Sequence, residues 1–403
     1  MPEDMRRFRL IEDVFRNCCR AWGYREVRTP TLEYLHLFTA TGTLTPGRLS
    51  KVYSFLDWDG WSGERVVLRP DGTIPLARLF IDNLADQRLA RLFYVTNIFI
   101  FEETGIETRE QWQCGAEFIG SADSVADAEV ILLATEIMRN LGFNDAKLSL
   151  SHAGIIKALL KQLNLSAEEE VKALDQILEG NWEVFTQAKG IEQPLNEFLL
   201  QLMKLKGSSN SFVRNLRAFS SRIPAEVKAN VEAFIAVIEL LDSFGCPYEI
   251  NLSVIHGFEY YTGICFQFIV QDKKVGGGGR YDDLIPLMEG GNVPACGFAL
   301  YIDPLMSLMP VEKGTKAERG VMIRQEGKTA NVVKACFHLA QALRMAGYVA
   351  EMDFNGTKTS SWRWVVTVKE DGAPNFVVFD QVKKKTTKAA SYIEVLNLVG
   401  GIA

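Results

Sequence analysis

Apolar residues recur at Phe8, Ile11, Val14 and Phe15 within residues 5–21, which gathers them on one face of a helix that Gly23 ends. The next stretch, YREVRTPTLEY, alternates like a strand up to Pro30, and VYSFLDWDG with ERVVLRP reads as a hairpin turning at Asp59-Gly60. Helical spacing returns over Thr73–Leu84. RLFYVTNIFIFEE and EQWQCGAEFIG, rich in aromatic and β-branched residues and joined by the polar TGIETR, predict a second antiparallel hairpin. A helix follows over Ser124–Leu141, closed by Gly142, then a strand in AKLSLSHAG and a small helical insert over about 155–245. Strand patterns resume at YEINLSVI, TGICFQFIV and ACGFAL, with VGGGGRYDD read as a glycine-rich loop between them. Locally paired strands with helices falling between groups of them predict an α+β fold built on an antiparallel sheet flanked by helices.

The apolar pattern breaks in PVEKGTKAERG, so the expected domains are residues 1–310 and 318–403. GVMIR, the amphipathic NVVKACFHLAQALRMAG, YVAEMDF, SSWRWVVTV and NFVVFD predict a small C-terminal α/β domain. Its tail, QVKKKTTKAA, reads as a solvated basic surface.

Composition narrows the classes of function. With 47% hydrophobic and 23% charged residues over 403 positions, the chain has the make-up of a soluble protein with more than one domain. A formal net charge of −6 supplies no global positive field for the phosphates of a nucleic acid. The N-terminus mixes charged and apolar residues and lacks the continuous apolar run of a signal peptide or membrane span, so a cytoplasmic protein is expected. The seven cysteines form no CxxC pair and the four histidines no ligand pair, so the expectation is reduced core thiols, no metal and no cofactor. A GxSxG elbow is absent as well.

Four segments set small, polar and glycine residues into apolar surroundings: LRPDGT, REQWQCGAE, HGFEYYTG and GGGGRYDD. Gln113 and Glu117 stand at even spacing on one strand face, with Gly115 between them leaving room for a ligand. An amide and a carboxylate aimed into one cavity suit a small polar cation; a surface-facing polar pair is the competing reading. In HGFEYYTG one of the adjacent tyrosines Tyr260 and Tyr261 points inward if the segment is extended. The glycines at 276–279 could bring backbone close to a ligand, but neither the Walker lysine nor the dinucleotide spacing is present.

Those four segments, in this order, resemble the catalytic core of class II aminoacyl-tRNA synthetases, and specifically histidyl-tRNA synthetase. WGYREVRTPTLEY resembles motif 1, the dimer-forming element. LRPDGT, NIFIFEE and TREQWQCGAEFIG resemble motif 2 and its approach, and ACGFALYIDPL sits where motif 3 belongs. HGFEYYTG is similar to the histidine signature, usually Arg-Gly-Leu-Asp-Tyr-Tyr, and GGGGRYDDL to its companion loop. The resemblance implies α-amino contacts from Asp71, Thr73 and Gln113, and imidazole contacts from Glu117, Tyr261 and Tyr281, with Tyr260 beside them. A carboxylate and a hydroxyl can fix the two ring nitrogens of histidine.

Three arginines that adenylate formation needs are replaced, by Ile100 in motif 2, Pro304 in motif 3 and His256 in the histidine signature. Each such donor is worth about 3–4 kcal/mol of transition-state stabilisation, so aminoacylation is expected to be lost. A histidine pocket without activation resembles the regulatory subunit of ATP phosphoribosyltransferase, whose LRPD-x-T-x-P-x-AR form LRPDGTIPLAR matches, including Pro75 and Arg78. That resemblance implies a homodimer through motif 1, a short catalytic subunit as partner and histidine as feedback effector. It implies no membrane, and a C-terminal domain in the place of an anticodon-binding domain, with tRNA an unlikely partner. The rival readings are an active histidyl-tRNA synthetase and a synthetase-like paralogue serving another partner.

Overall fold

The computed structural model describes residues 1–40, 51–58, 63–101, 109–163, 223–251, 261–309, 317–353, 362–370 and 375–400, with a few isolated positions between 165 and 217. The chain divides into two units, Met1–Met309 and Pro310–Ala403.

The first unit runs α1 (Pro2–Ala21), β1 (Arg25–Glu26), β2 (Leu32–Tyr34), α2 (Leu35–Ala40), β3 (Ser54–Trp58), β4 (Gly63–Leu68), α3 (Thr73–Leu84), β5 (Ala90–Phe99), β6 (Glu110–Ile119) and α4 (Ser124–Asn140). It continues with β7 (Lys147–His152), α5 (Ala153–Lys161), α6 (Ala225–Ser243), β8 (Glu249–Ile250), β9 (Ile264–Val270), β10 (Lys273–Arg280), α7 (Leu284–Leu287), β11 (Ala295–Tyr301) and α8 (Ile302–Leu308). Eight strands form one sheet in the order β1-β5-β6-β11-β10-β9-β7-β8. Its six central strands are antiparallel, and β1 and β8 add parallel pairs at the two edges. A separate three-stranded sheet, β2-β4-β3, contains the first hairpin.

The local causes of these elements are visible. Acidic Glu3 and Asp4 occupy the first turn of α1, where they complement the helix dipole, and Gly23 beyond it adopts φ +80°. Asp123 caps α4 by accepting the Val125 N–H at 2.9 Å. Strand alternation sorts the two sheet faces. Phe93, Cys114, Ala116 and Phe118 face the layer of α1, α4 and α6, where Phe15 meets Phe93 and Phe298 edge-on at 5.8 and 6.3 Å. A buried aromatic so placed contributes about 3–5 kcal/mol relative to alanine. Leu92, Tyr94 and Ile119 face the other way, toward α3 and α7.

The structure revises several sequence expectations. Gly276–Gly279 lie inside β10, paired to both β9 and β11, and not in a loop. A glycine run hides a strand because it carries no side-chain alternation to read. YREVRTPTLEY is two short strands in different sheets, broken around Pro30, which cannot donate to a ladder. The hairpin turn Asp59-Gly60, most of TGIETR, most of the helical insert and the end of YEINLSVI lie outside the described residues.

The second unit contains β12 (Ala317–Glu326), α9 (Ala330–Met345), β13 (Val349–Asp353), β14 (Trp362–Lys369), β15 (Asn375–Asp380), β16 (Lys385–Ala389) and α10 (Tyr392–Gly400). Its sheet, β13-β12-β14-β15-β16, is parallel across the first three strands and antiparallel beyond. The basic tail read as surface contributes the edge strand β16, on which Lys385 and Lys388 are exposed. Charged residues on an edge strand discourage pairing with other chains.

Candidate functional site

Register places the candidate residues together. Glu117 on β6 stands opposite Leu92 on β5 and Gly297 on β11, and Gly297 stands opposite Gly279 on β10, so this row shares the α3-facing side of the sheet. Two residues along, Gly115 pairs with Tyr94 and Ala299, and one step further Gln113 pairs with Thr96 and Tyr301. Glu117 and Gln113 are both buried, which removes the surface-pair reading. Thr73 enters from above as the first residue of α3, and Asp71 precedes it, accepting the Ile74 N–H at 3.0 Å. Tyr281 follows β10 directly, its N–H anchored on the Ala295 carbonyl.

Glu117 is the hub. Thr73 Oγ1 donates to its Oε1 at 2.8 Å, and the Tyr281 hydroxyl donates to its Oε2. The carboxylate lies over Gly297, in the space that a Cβ there would need. Burial pushes the Glu117 carboxyl up to about 8, against the opposing pull of the Tyr281 and Thr73 hydrogen bonds. Tyr261, partly buried, lies with its ring over Gly279. Burial raises the Tyr261 phenol well above its usual value; the neighbouring Tyr301, Cys265, Glu117 and Asp71 add to that rise. Its carbonyl accepts from Lys157 Nζ at 2.8 Å. Tyr260 and His256 lie outside the described residues. Of the six described candidates, Asp71, Thr73, Tyr261 and Tyr281 thus gather around or beside Glu117, and Gln113 reaches it through Tyr94.

Tyr94 was missed by sequence reasoning, and it changes the role of Gly115. The room that Gly115 leaves is filled by the Tyr94 side chain, which also packs on Gly72. Gln113 Nε2 donates to the Tyr94 hydroxyl at 3.4 Å, and Thr73 is bonded to the same hydroxyl. In a strand as apolar as RLFYVTN a tyrosine cannot be told from a core phenylalanine; only the register opposite a glycine reveals it. Gln267 on β9 was missed too: it is buried and pairs with Gly277, and so shares the site's face of the sheet.

Two nearby arginines are committed elsewhere. Arg280 pairs with the buried Asp127 at 3.0 Å, and donates to Asp282, to the Ser121 carbonyl and to the Asp123 carbonyl. Burial lifts Asp127 to about 6 although Arg280 pulls it down, as expected of a desolvated pair. Arg69 spends its guanidinium on the Asn97, Thr29 and Pro30 carbonyls and on the Thr29 and Asn97 side chains.

Two of the positions at which the synthetase resemblance calls for arginine are described. Ile100 follows β5, its N–H bonded to the Arg109 carbonyl, and Arg109 lies over the Phe101 ring at 5.5 Å. Pro304 sits in the first turn of α8, beside Asp303, whose carboxylate accepts the Trp112 N–H at 2.8 Å. Among the described residues no group of three or more His, Cys, Asp or Glu is placed to hold a metal ion.

The histidyl-tRNA synthetase family matches residues 1–305. An ATP phosphoribosyltransferase regulatory subunit of Dehalococcoides mccartyi is 47% identical over 402 residues, spanning 100% of this chain and 96% of that one. The chain belongs to the ATP phosphoribosyltransferase regulatory subunits, within the histidyl-tRNA synthetase family. A histidine–tRNA ligase of Methanocaldococcus jannaschii is 33% identical over 369 residues, covering 89% of this chain and 85% of that one. The fold is shared with a Bacillus halodurans structure described as an ATP phosphoribosyltransferase regulatory subunit/histidyl-tRNA synthetase, at TM-score 0.77, 24% identity and coverage of 92% and 96%. It is shared also with histidyl-tRNA synthetase from Nostoc, at TM-score 0.78, 19% identity and coverage of 100% and 97%. Around Glu117 this regulatory subunit thus gathers Asp71, Thr73, Tyr261 and Tyr281, while Ile100 and Pro304 occupy positions where the synthetase resemblance calls for arginine.

Proposed function

We propose that this chain is a non-catalytic regulatory subunit of ATP phosphoribosyltransferase that binds histidine in the Glu117 pocket. The short catalytic subunit requires it for activity, and occupancy of the pocket by histidine inhibits the complex. What carries the reading is the contrast within one site. Glu117 is held by Thr73 and Tyr281 with Asp71, Gln113 and Tyr261 beside it, while Ile100 and Pro304 stand where phosphate-binding arginines would be needed.

The imidazole ring would take Glu117 and a tyrosine hydroxyl on its two nitrogens, and the α-ammonium group Asp71, Thr73 and the Gln113 amide oxygen. The subunit acts in the cytoplasm as a homodimer within a hetero-oligomer. Support for the dimer comes from the three-stranded sheet beside motif 1, where Leu32, Tyr34 and Phe55 are exposed on one face. Residues 318–403 take the place of an anticodon-binding domain without serving tRNA, given the net charge of −6. Among the described residues, no helix is long and apolar enough to cross a membrane.

The test is reconstitution with a short catalytic subunit. Phosphoribosyl transfer should appear only on mixing and should fall on addition of histidine, whereas histidine-dependent ATP–pyrophosphate exchange by this chain alone should be absent. Exchange activity would make it a synthetase; normal activity of the catalytic subunit without it would remove the regulatory role.

A further inference from the structure

One row of residues crosses the sheet between the row of Glu117 and the row of Gln113: Tyr94, Gly115, Ala299, Gly277, Gln267 and Ser149, on β5, β6, β11, β10, β9 and β7. Tyr94 fills the space over Gly115. The middle of the row is open. Ala299 and Gly277 are partly exposed although they lie on central strands, and the three atoms nearest to a Cβ at 277 all belong to Phe266 and Gln267 of β9. At the far end Gln267 and Ser149 are only 6% and 3% exposed. Ser149 Oγ is buried without a hydrogen-bond partner, and among the described residues the Gln267 amide has none either. Two polar side chains buried and unpaired beside an open floor each carry a desolvation cost that a ligand relieves.

A histidine whose ring stands between Glu117 and Tyr261, with its ammonium group turned to Asp71, Thr73 and Gln113, lies across this row. Its α-carbon is tetrahedral, so the carboxylate leaves on the side away from α3, over Ala299 and Gly277. Gln267 stands one strand beyond Gly277, about 4.8 Å away, a distance its long side chain spans. We infer that the Gln267 amide N–H reads the carboxylate of the bound amino acid, with Ser149 as its positioning residue. This deepens the histidine reading above and rests on it. On binding, the Ser149 hydroxyl donates to Gln267 Oε1, which turns Nε2 toward the ligand, where it makes a charge-assisted hydrogen bond. A site that satisfies its buried polar groups in this way discriminates against an analogue that leaves them unpaired, so the carboxylate-free amine should bind more weakly than the amino acid.

The experiment is calorimetric titration of the full chain with L-histidine and with histamine, which lacks only the carboxylate. Wild type should prefer histidine by tenfold or more. Gln267→Met keeps the volume and removes the amide; it should weaken histidine by tenfold or more and leave histamine within threefold, so that the preference disappears. Gln267→Glu should weaken histidine further while histamine is unchanged or tighter. Ser149→Ala should lower histidine affinity about threefold in the wild-type chain and not at all in the Gln267→Met chain, a coupling that a purely structural serine would not show. Histamine as tight as histidine in wild type, or equal losses of both ligands in Gln267→Met, the result expected of a water-filled core pair, would overturn the inference and leave the histidine pocket standing. Binding of neither compound by wild type would overturn the pocket reading and this inference together.

Discussion

Gly297 lies directly opposite Glu117 in the pairing of β11 with β6, and the Glu117 carboxylate occupies the space where a side chain at 297 would begin. A methyl group there must displace the one carboxylate to which both Thr73 and Tyr281 donate. Gly297→Ala is therefore expected to abolish histidine binding at a stability cost of about 1–3 kcal/mol, the usual range for overpacking a core. Calorimetry and thermal melting read the two effects separately; a variant that melts lower yet binds normally would show that Glu117 can move without consequence.

Removing the carboxylate itself should act on affinity more than on the fold. Glu117→Ala is expected to weaken histidine binding by about 10–100-fold, in line with about 1.5–3 kcal/mol for a hydrogen bond to a charged group. Tyr281→Phe should cost less, because Thr73 still holds the other carboxylate oxygen. Unchanged affinity in Glu117→Ala would place the ligand elsewhere.

The pH dependence of stability carries a signature of the same residue. Burial lifts the folded-state pKa of Glu117 from 4.5 to about 8, so between these values the folded chain holds a proton that the unfolded chain has released. Its contribution to stability is fully present below 4.5 and is lost progressively as pH rises through 8. Glu117→Gln lacks that proton, so from pH 5 to pH 8 the unliganded wild-type protein should lose more stability than the variant. Parallel curves in denaturant titrations would mean that Glu117 is ionised in the empty pocket.

Arg280 stands between the glycines of β10 and Tyr281, and its contacts give it a scaffold role. It ties the end of β10 to α4 through the buried Asp127 and to the start of that helix through backbone carbonyls. Arg280→Ala leaves Asp127 buried and unpaired, which is expected to destabilise the first unit by about 3–5 kcal/mol. Chemical denaturation measures this; a change under 1 kcal/mol would mean that water replaces the guanidinium.

Tyr94 and Gly115 offer a test of packing alone. Gly115→Ala drives a methyl group into the Tyr94 hydroxyl, so a loss of about 1–3 kcal/mol is expected, and Tyr94→Phe in the same chain should not restore it, because the ring as well as the hydroxyl fills that space. Recovery in the double variant, seen by melting temperature, would show that the hydroxyl alone is the obstacle.

The amino-acid sequence by itself determined the antiparallel hairpins, the helices read over 5–21 and 124–141 and observed at Pro2–Ala21 and Ser124–Asn140, and the Gln113–Glu117 face, because each rests on a period of 2 or 3.6 that neighbouring residues report. Asp71, Thr73, Glu117, Tyr261 and Tyr281 were legible as candidates through motifs in fixed order. Only the tertiary structure decided that Gly276–Gly279 form a strand, that Tyr94 takes the room beside Gly115, and that Arg69 and Arg280 are spent on the scaffold. Those facts depend on which residues from distant strands stand opposite one another. Cross-strand register is set by the packing of the whole sheet, and a linear pattern carries no record of it.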